Sequence, residues 1–469
     1  MIGSGPNGLA GAIELARAGL EVEVHEAEPE IGGGLRSSEL TLPGFVHDVC
    51  SAIHPLAVAS PVFRELDVDW VHPGAPAAHP FDDGTALALE RGLEATAEQL
   101  GADGAAYRSL VGPVVEASPD FERLALGSYP PRLESVFHAR RWLGDFLAAA
   151  RPLVERRFAD DRTRTWLAGF AAHSMLPLER RPSAGFMLAL VVLGHAVGWP
   201  FPRGGAQRLA DALAERLHRL GGEIRTSSPV DELPAADVVL ADVAPRELLR
   251  IAAGRFPDRY EQRLRAYRHG PGAFKVDWAL DGPIPWRASE CARAGTVHLG
   301  GSFEEISASE WGAWSGRPAG KPFVLLTQTS LFDPTRVPED GQAAWAYCHA
   351  PNGSSEDMTE RIEAQVERFA PGFRARILAR SSMGPAELEA HNRNLVGGDL
   401  NGGAMDLGQL LFRPVRSLVP YRTPERGVYL CSASTPPGGG VHGLCGYSAA
   451  RLALRDAARR YRRLRSSIP

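Results

Sequence analysis

Gly3, Gly5 and Gly8 open the chain in the spacing G-x-G-x-x-G and lead into a stretch of helical period that runs to Ala18 and stops at Gly19. Val22-Glu23-Val24-His25-Glu26 then reads as a strand ending on a carboxylate, eighteen positions beyond Gly8. Glycine turn, helix, strand and terminal acid in this order constrain the fold more than any other feature, because each position meets one demand of a bound dinucleotide. Gly3 permits the tight turn, Gly5 lets backbone approach a pyrophosphate, and Gly8 lets helix pack closely on strand. The helix N-terminus offers free N–H groups to the anion, and Glu26 is spaced to hold a ribose hydroxyl. The expectation is an α/β, Rossmann-like nucleotide-binding domain. Its central strand should be buried on both faces, yet only Met1 and Ile2 precede Gly3. A further expectation is therefore that the true start lies upstream of Met1.

Ile31-Gly32-Gly33-Gly34-Leu35-Arg36 follows the acid, so backbone can pass close to a cofactor while a guanidinium meets its phosphate. His47, Asp48, Cys50 and His54 come next, in a spacing that matches no common metal site. From about Ser60 to Val197 the pattern reads as helical and rich in Ala, Leu and Arg. Strand and helix alternate again after Pro202-Arg203-Gly204-Gly205: an amphipathic helix over Leu209 to Leu220, then strands at Glu223 to Thr226 and Val238 to Ala241. A second excursion holds extended stretches at Ala273 to Leu280, Phe323 to Thr329 and Ala344 to His349. The chain closes with a strand at Gly427 to Ser432, a glycine-rich turn at Pro436 to Gly446 and a helix from Tyr447. Residues 1–60, 198–244 and 396–469 are thus expected to build the nucleotide-binding domain, and 61–197 with 245–395 an inserted mixed α+β substrate domain.

A length of 469 residues suits two domains with separate cores. A net charge of −5 argues against a nucleic-acid partner. All but two of the 51 basic residues are arginine, which draws notice to Lys275 and Lys321. The five cysteines form no CxxC and no disulfide framework. No secretory signal is visible, and the longest apolar run, Ala184 to Val197, falls short of the roughly 20 residues of a spanning helix. A cytoplasmic protein is expected, with Ala184 to Val197 a buried helix. Arg459, Arg460, Arg462, Arg463 and Arg465 read as a solvated helix end, with peripheral contact to a lipid surface as the second reading. Nothing in the composition singles out an oligomeric state.

The kind of dinucleotide follows from what accompanies the first motif. A flavin enzyme with its own nicotinamide domain would carry a second G-x-G-x-x-G after a strand, and none is evident. Gly438-Gly439-Gly440-Val441-His442-Gly443 instead supplies another close-approach backbone running into a helix N-terminus. Such a turn can place N–H groups and the helix dipole at the O2 edge of an isoalloxazine ring. FAD is the expected cofactor, held from both ends of the chain.

With Gly32-Gly33 and Arg36, the Gly204-Gly205 helix start and the C-terminal glycine turn, the chain resembles the phytoene desaturase and flavin amine oxidase superfamily. Within it the whole chain is similar to the phytoene desaturase-related NAD(P)/FAD-dependent oxidoreductases, the pyridine nucleotide-disulphide oxidoreductase domain-containing protein 2-like branch. The resemblance implies that Gly3, Gly5, Gly8, Glu26, Gly33 and Arg36 serve the ADP half, with Gly32 also among the cofactor-binding residues. It implies a main-chain contact from Val230 to adenine, and Gly438, Gly439, Gly440, Val441 and Gly443 beside the flavin. The chain departs from the pattern after Val230, where only Asp231 to Asp237 precede the next strand, too few for the family's hairpin.

Lys275 lies in a stretch similar to the strand on which flavin amine oxidases set a lysine against the flavin N5 through a water, where it could meet negative charge on reduced flavin. Its plainer reading is a strand lysine paired with a carboxylate. His442 and His173 are candidate bases. Asp399 is a candidate for the substrate cavity or for a turn, and Trp199 and Trp278 for cavity walls or core. The expected activity is an FAD-dependent oxidoreductase, phytoene desaturase-like, that removes hydride from an apolar or amphipathic organic substrate and is reoxidised by oxygen, a quinone or another carrier. The alternatives are a carotenoid desaturase or isomerase, an amine oxidase, and an FAD-binding interaction module without turnover.

Overall fold

The computed structural model describes residues 1–127, 129, 131 and 133–466, the last six without their side chains. In chain order the elements that position the site are α1 (Pro6–Arg17), β1 (Glu23–His25), β2 (Ala75–Pro80), β3 (Ala86–Leu89), α2 (Asp161–Ala172), α3 (Ser183–Ala196), α4 (Gln207–Arg219), β4 (Glu223–Arg225) and β5 (Val239–Ala241). Then follow β6 (Gly272–Leu280), β7 (Ala294–Leu299), β8 (Val324–Thr327), β9 (Gln342–Ala350), α5 (Thr359–Phe369), β10 (Ile377–Met383), β11 (Val428–Leu430) and α6 (Leu444–Ser466).

Two parallel pairs, β4 with β1 and β5 with β11, are joined through Ile2, which bridges His25 on one side and Ala241 on the other. The Ile2 N–H donates to Leu240 O (2.9 Å), Gly3 N–H to His25 O (2.8 Å) and Asp242 N–H to Ile2 O (2.8 Å). Met1 to Gly3 thus fill the central position of a parallel sheet whose neighbours are themselves only three residues long. Helices α1, α4 and α6 cover it. The buried stripe of α4, Leu209, Ala210, Leu213, Ala214 and Leu217, follows from its 3.6-residue period. Helix α6 approaches α1 so closely that a Cβ on Gly446 would lie 1.7 Å from Asn7 O. Among the described residues no strand forms between Thr226 and Val238, in keeping with the short connection read there.

The second sheet has seven strands in the order β10-β6-β9-β8-β7-β2-β3. Its strands alternate. Val276, Trp278, Val297, Leu326 and Ala346 face one core with α5, where Trp278 meets Phe373 and donates from Nε1 to Glu363 Oε1 (3.1 Å). Trp278 is therefore core, not cavity wall. The opposite face carries Lys275, Asp277, Thr296, His298, Thr327, Trp345 and Tyr347. Strands β2 and β3 correct the helical reading of Ser60 to Val197. All six residues of β2, Ala-Pro-Ala-Ala-His-Pro, are buried, so no alternation marks them, and alanine by itself favours helix. Parallel pairing with β7 decides the conformation. The apolar run Ala184 to Val197 is the largely buried helix α3, and no described helix is long and apolar enough to cross a membrane.

Candidate active site

A cavity of about 450 Å³ runs between the two sheets. One end is bounded by Glu26, Glu28 and Val230, the middle by Gly5, Gly33 and Arg36, and the far end by Gly440, Val441, His173, Trp199 and Trp345. The structure thereby brings together ten of the residues singled out from the sequence: Gly3, Gly5, Glu26, Gly33, Arg36, Val230, Gly440, Val441, His173 and Trp199.

The dinucleotide end follows from the glycine spacing. Gly3 has φ +90°, and a Cβ at Gly8 would lie 2.2 Å from Gly3 O, so Gly8 serves loop closure rather than the cavity surface. Gly32 packs on Ala210 of α4, while Gly33 lies against Gly5, leaving a wall of bare backbone. Glu26 is buried and accepts from Ser4 N (2.9 Å), Ser4 Oγ (2.5 Å) and Glu28 N (3.0 Å). Arg36 is buried, reaches only His391 O (3.5 Å) and stands 3.9 Å from Glu26, and its Nε has no partner. A buried guanidinium left short of acceptors beside a glycine wall and a helix N-terminus fits a pyrophosphate. These residues fit FAD: Glu26 would hold the ribose, Arg36 and the α1 N-terminus the phosphates.

Asp242, at the C-terminal end of β5, was not singled out from the sequence. Its Oδ2 accepts from Gly8 N (2.8 Å), and a Cβ on Gly5 would meet it at 2.9 Å. Burial, with Glu26 nearby, pushes its pKa up from 3.8 to about 7. Because the folded value is raised, its contribution to stability falls as pH rises from 3.8 to about 7. Above that range a carboxylate charge faces the phosphate site. FAD affinity of the wild type should fall by about tenfold between pH 6 and pH 8, whereas Asp242→Asn should show a flat profile and greater apoprotein stability at pH 8. Titration of FAD into apoprotein by fluorescence quenching checks this; parallel profiles for the two proteins would refute it.

At the far end the turn after β11 places Gly440 and Val441 on the cavity. Gly438, Gly439 and Gly443 point away, packed on Arg413, Asn401 and Phe63, so their lack of a side chain shapes the turn from behind. His442 is corrected from candidate base to a pin of this turn. Leu444 N–H donates to its Nδ1 (3.1 Å), which leaves Nε2–H to donate to Gly438 O (3.2 Å). Burial lowers its pKa to about 4, and it does not line the cavity.

Lys275 lies one layer behind the cavity wall. Its ammonium donates to both oxygens of Asp277 (2.6 and 2.5 Å) and sits 4.9 Å from the centre of the Trp345 ring, which does face the cavity. This is the geometry of the paired strand lysine. His173 meets His298 through their Nε2 atoms (3.0 Å), and burial lowers its pKa to about 3. It is a neutral wall residue edge-on to Trp199. Asp399 takes the turn role of the two considered: its carboxylate accepts from Gly270 N (2.9 Å) and Asn401 N (2.8 Å).

A family model, flavin containing amine oxidoreductase, matches residues 7–336. The chain belongs to this family. FAD is its cofactor and it is an oxidoreductase. The chain is 26% identical to pyridine nucleotide-disulfide oxidoreductase domain-containing protein 2 of Mus musculus, over 97% of this chain and 93% of that one. It is 26% identical to hydroxyneurosporene desaturase of Cereibacter sphaeroides over 98% of both. A crystal structure of an oxidoreductase from Methanosarcina mazei superposes with a TM-score of 0.66 at 15% identity, covering 97% of this chain and 99% of that one.

Within this flavin oxidoreductase the cavity residues missed from sequence include Asp242, Thr296, Thr327 and Trp345. A signal existed for each. Asp242 directly follows a buried strand, where ligands of parallel sheets bind, and the other three are the polar members of alternating strands.

Proposed function

We propose that this FAD-dependent oxidoreductase takes a hydride from a neutral, mainly apolar organic molecule and passes the electrons on to oxygen, a quinone or another carrier. The observation that carries this reading is the continuity of one cavity from the dinucleotide loops into a chamber walled by Met175, Leu190, Trp199, Leu325 and Trp345. Bound FAD supplies the hydride acceptor. The chain's residues do the rest: the apolar walls exclude water, and the Gly440-Val441 turn would present backbone to the cofactor. The carboxylates among the cavity residues, Glu26, Glu28, Asp242 and Glu247, belong to the dinucleotide loops and to the residues that follow β5. The apolar walls themselves present none to an ammonium group, which supports a neutral substrate over a protonated amine.

The test begins with the absorbance spectrum of the purified protein, where oxidised flavin bands near 375 and 450 nm are expected, roughly as for any flavoprotein. Photoreduced protein should then reoxidise rapidly with oxygen or a quinone, and an anaerobic panel of neutral terpenoids should bleach the bands. A yellow protein that neither bleaches with the panel nor reoxidises with either acceptor would instead be a binding module.

A further inference from the structure

Three polar side chains stand in one row on the chamber wall. In the antiparallel register Thr296 of β7 is opposite Thr327 of β8, and Thr327 is opposite Trp345 of β9. Directly opposed residues share a face of the sheet, with Cβ atoms roughly 5 Å apart. All three line the cavity, and each is at least 95% buried, with exposures of 3%, 5% and 5%. Thr296 Oγ1, Thr327 Oγ1 and Trp345 Nε1 have no hydrogen-bond partner. Other buried polar atoms of the chain, Thr163 Oγ1 and Trp166 Nε1 among them, also lack a partner, but these three stand in register on the wall of one cavity, where a bound molecule can relieve the desolvation cost of an unmet donor. The row lies beside Met175, Leu190, Trp199 and Leu325, with His173 and Tyr347 the other polar side chains nearby, and is placed to meet a polar group on a mainly apolar ligand.

We propose that this row is the recognition site for an oxygen function, a hydroxyl or carbonyl, on the substrate; the proposal rests on the reading that the chamber takes a neutral apolar molecule. The chemistry of the row selects the group. An indole N–H only donates, whereas a threonine hydroxyl donates and accepts. The ligand must therefore bring an acceptor, which a protonated amine lacks and a hydrocarbon lacks altogether. A hydroxyl or carbonyl over Thr327, the middle of the row, accepts from its neighbours, and a hydroxyl can also donate to a threonine Oγ1. The rest of the molecule then extends along Leu325, Leu190 and Trp199.

A matched set of probes separates these cases: p-menthane, menthol, menthone and menthylamine, titrated at pH 7 into the FAD-loaded protein and read by perturbation of the flavin bands, without turnover. Menthol and menthone should bind at least tenfold more tightly than p-menthane and menthylamine. Thr296→Val/Thr327→Val, which keeps shape and removes both hydroxyls, should abolish the preference. Thr327→Ser should retain it, and Trp345→Phe should weaken the binding of menthone. Equal binding of menthol and p-menthane by the wild type overturns the proposal while leaving the apolar chamber intact, as does a preference that survives in the double valine variant. Failure of all four probes to perturb the flavin overturns the chamber reading and this proposal with it. Should the valine variant fail to retain FAD, the wild-type preference together with Thr327→Ser and Trp345→Phe still decides.

Discussion

Lys275→Met is expected to destabilise the protein by about 4 kcal/mol, since removing one partner of a buried ion pair leaves the other charge uncompensated. Lys275 and Asp277 are 2% and 0% exposed, and the ammonium is the carboxylate's close cation. Burial already raises Asp277 to about 6 despite that cation, whose charge and hydrogen bonds act the other way. Without it the carboxyl must carry its proton further into the alkaline range. The folded pKa then lies well above the unfolded one, so stability is present at low pH and lost as pH rises through neutrality. Thermal melts at pH 5 and pH 8 should show a much larger deficit at pH 8. Lys275→Met/Asp277→Asn removes both charges and should recover most of the loss. The double variant also separates structure from chemistry. If its flavin is reduced and reoxidised at wild-type rates, Lys275 acts only by holding Trp345 and the strand face; slowed rates in a stable double variant would assign the ammonium a part in the reaction.

Arg336→Met should be equally severe, about 4 kcal/mol, and should also release FAD. The guanidinium is fully buried and donates to Asp48 Oδ2 (2.6 Å), Asp333 Oδ2 (3.1 Å) and Pro202 O (2.9 Å). Asp48 in turn accepts from Ala206 N and Ser37 Oγ (both 2.7 Å), and Asp333 from Gly204 N (2.6 Å). One side chain thus ties the Gly204-Gly205 entry to α4 to the strand that follows Arg36. Burial would raise both carboxyls, yet the charge of Arg336 and hydrogen bonds hold them below 3.8. In the wild type this stabilisation is present above the unfolded carboxylate pKa and lost as pH falls through the lower folded values. The variant should lose it and be weakest at high pH, where the buried carboxylates of Asp48 and Asp333 are charged without the guanidinium between them. Urea unfolding with FAD fluorescence as a second probe checks both effects. A loss under 1 kcal/mol with FAD retained would show that the backbone donors to Asp48 and Asp333 suffice.

The N-terminal glycine turn, its helix and Glu26 were legible in the sequence because a dinucleotide loop is local: its geometry is set by spacing within about 25 residues and by which positions can lack a side chain. The glycine turn at residues 438–443 was legible for the same reason, and so was the amphipathic helix α4. Partnership was not legible. Nothing near Lys275 marks whether its ammonium faces the cavity or Asp277 two residues on, and nothing near His442 marks that both ring nitrogens are consumed by Gly438 and Leu444. The C-terminal arginines remain a sequence reading, since the side chains of Arg462, Arg463 and Arg465 lie outside the described residues.

Strand β2 had its identity decided by β7, more than 200 residues away, and the row Thr296, Thr327 and Trp345 exists only through the register of three strands. The sequence by itself determined the cofactor class and the glycine turns that the fold sets on the cavity, since those depend on steric permission at single positions. Only the tertiary structure decided which polar groups are paired and which stand open in the chamber, because burial and partnership are properties of distant segments brought together.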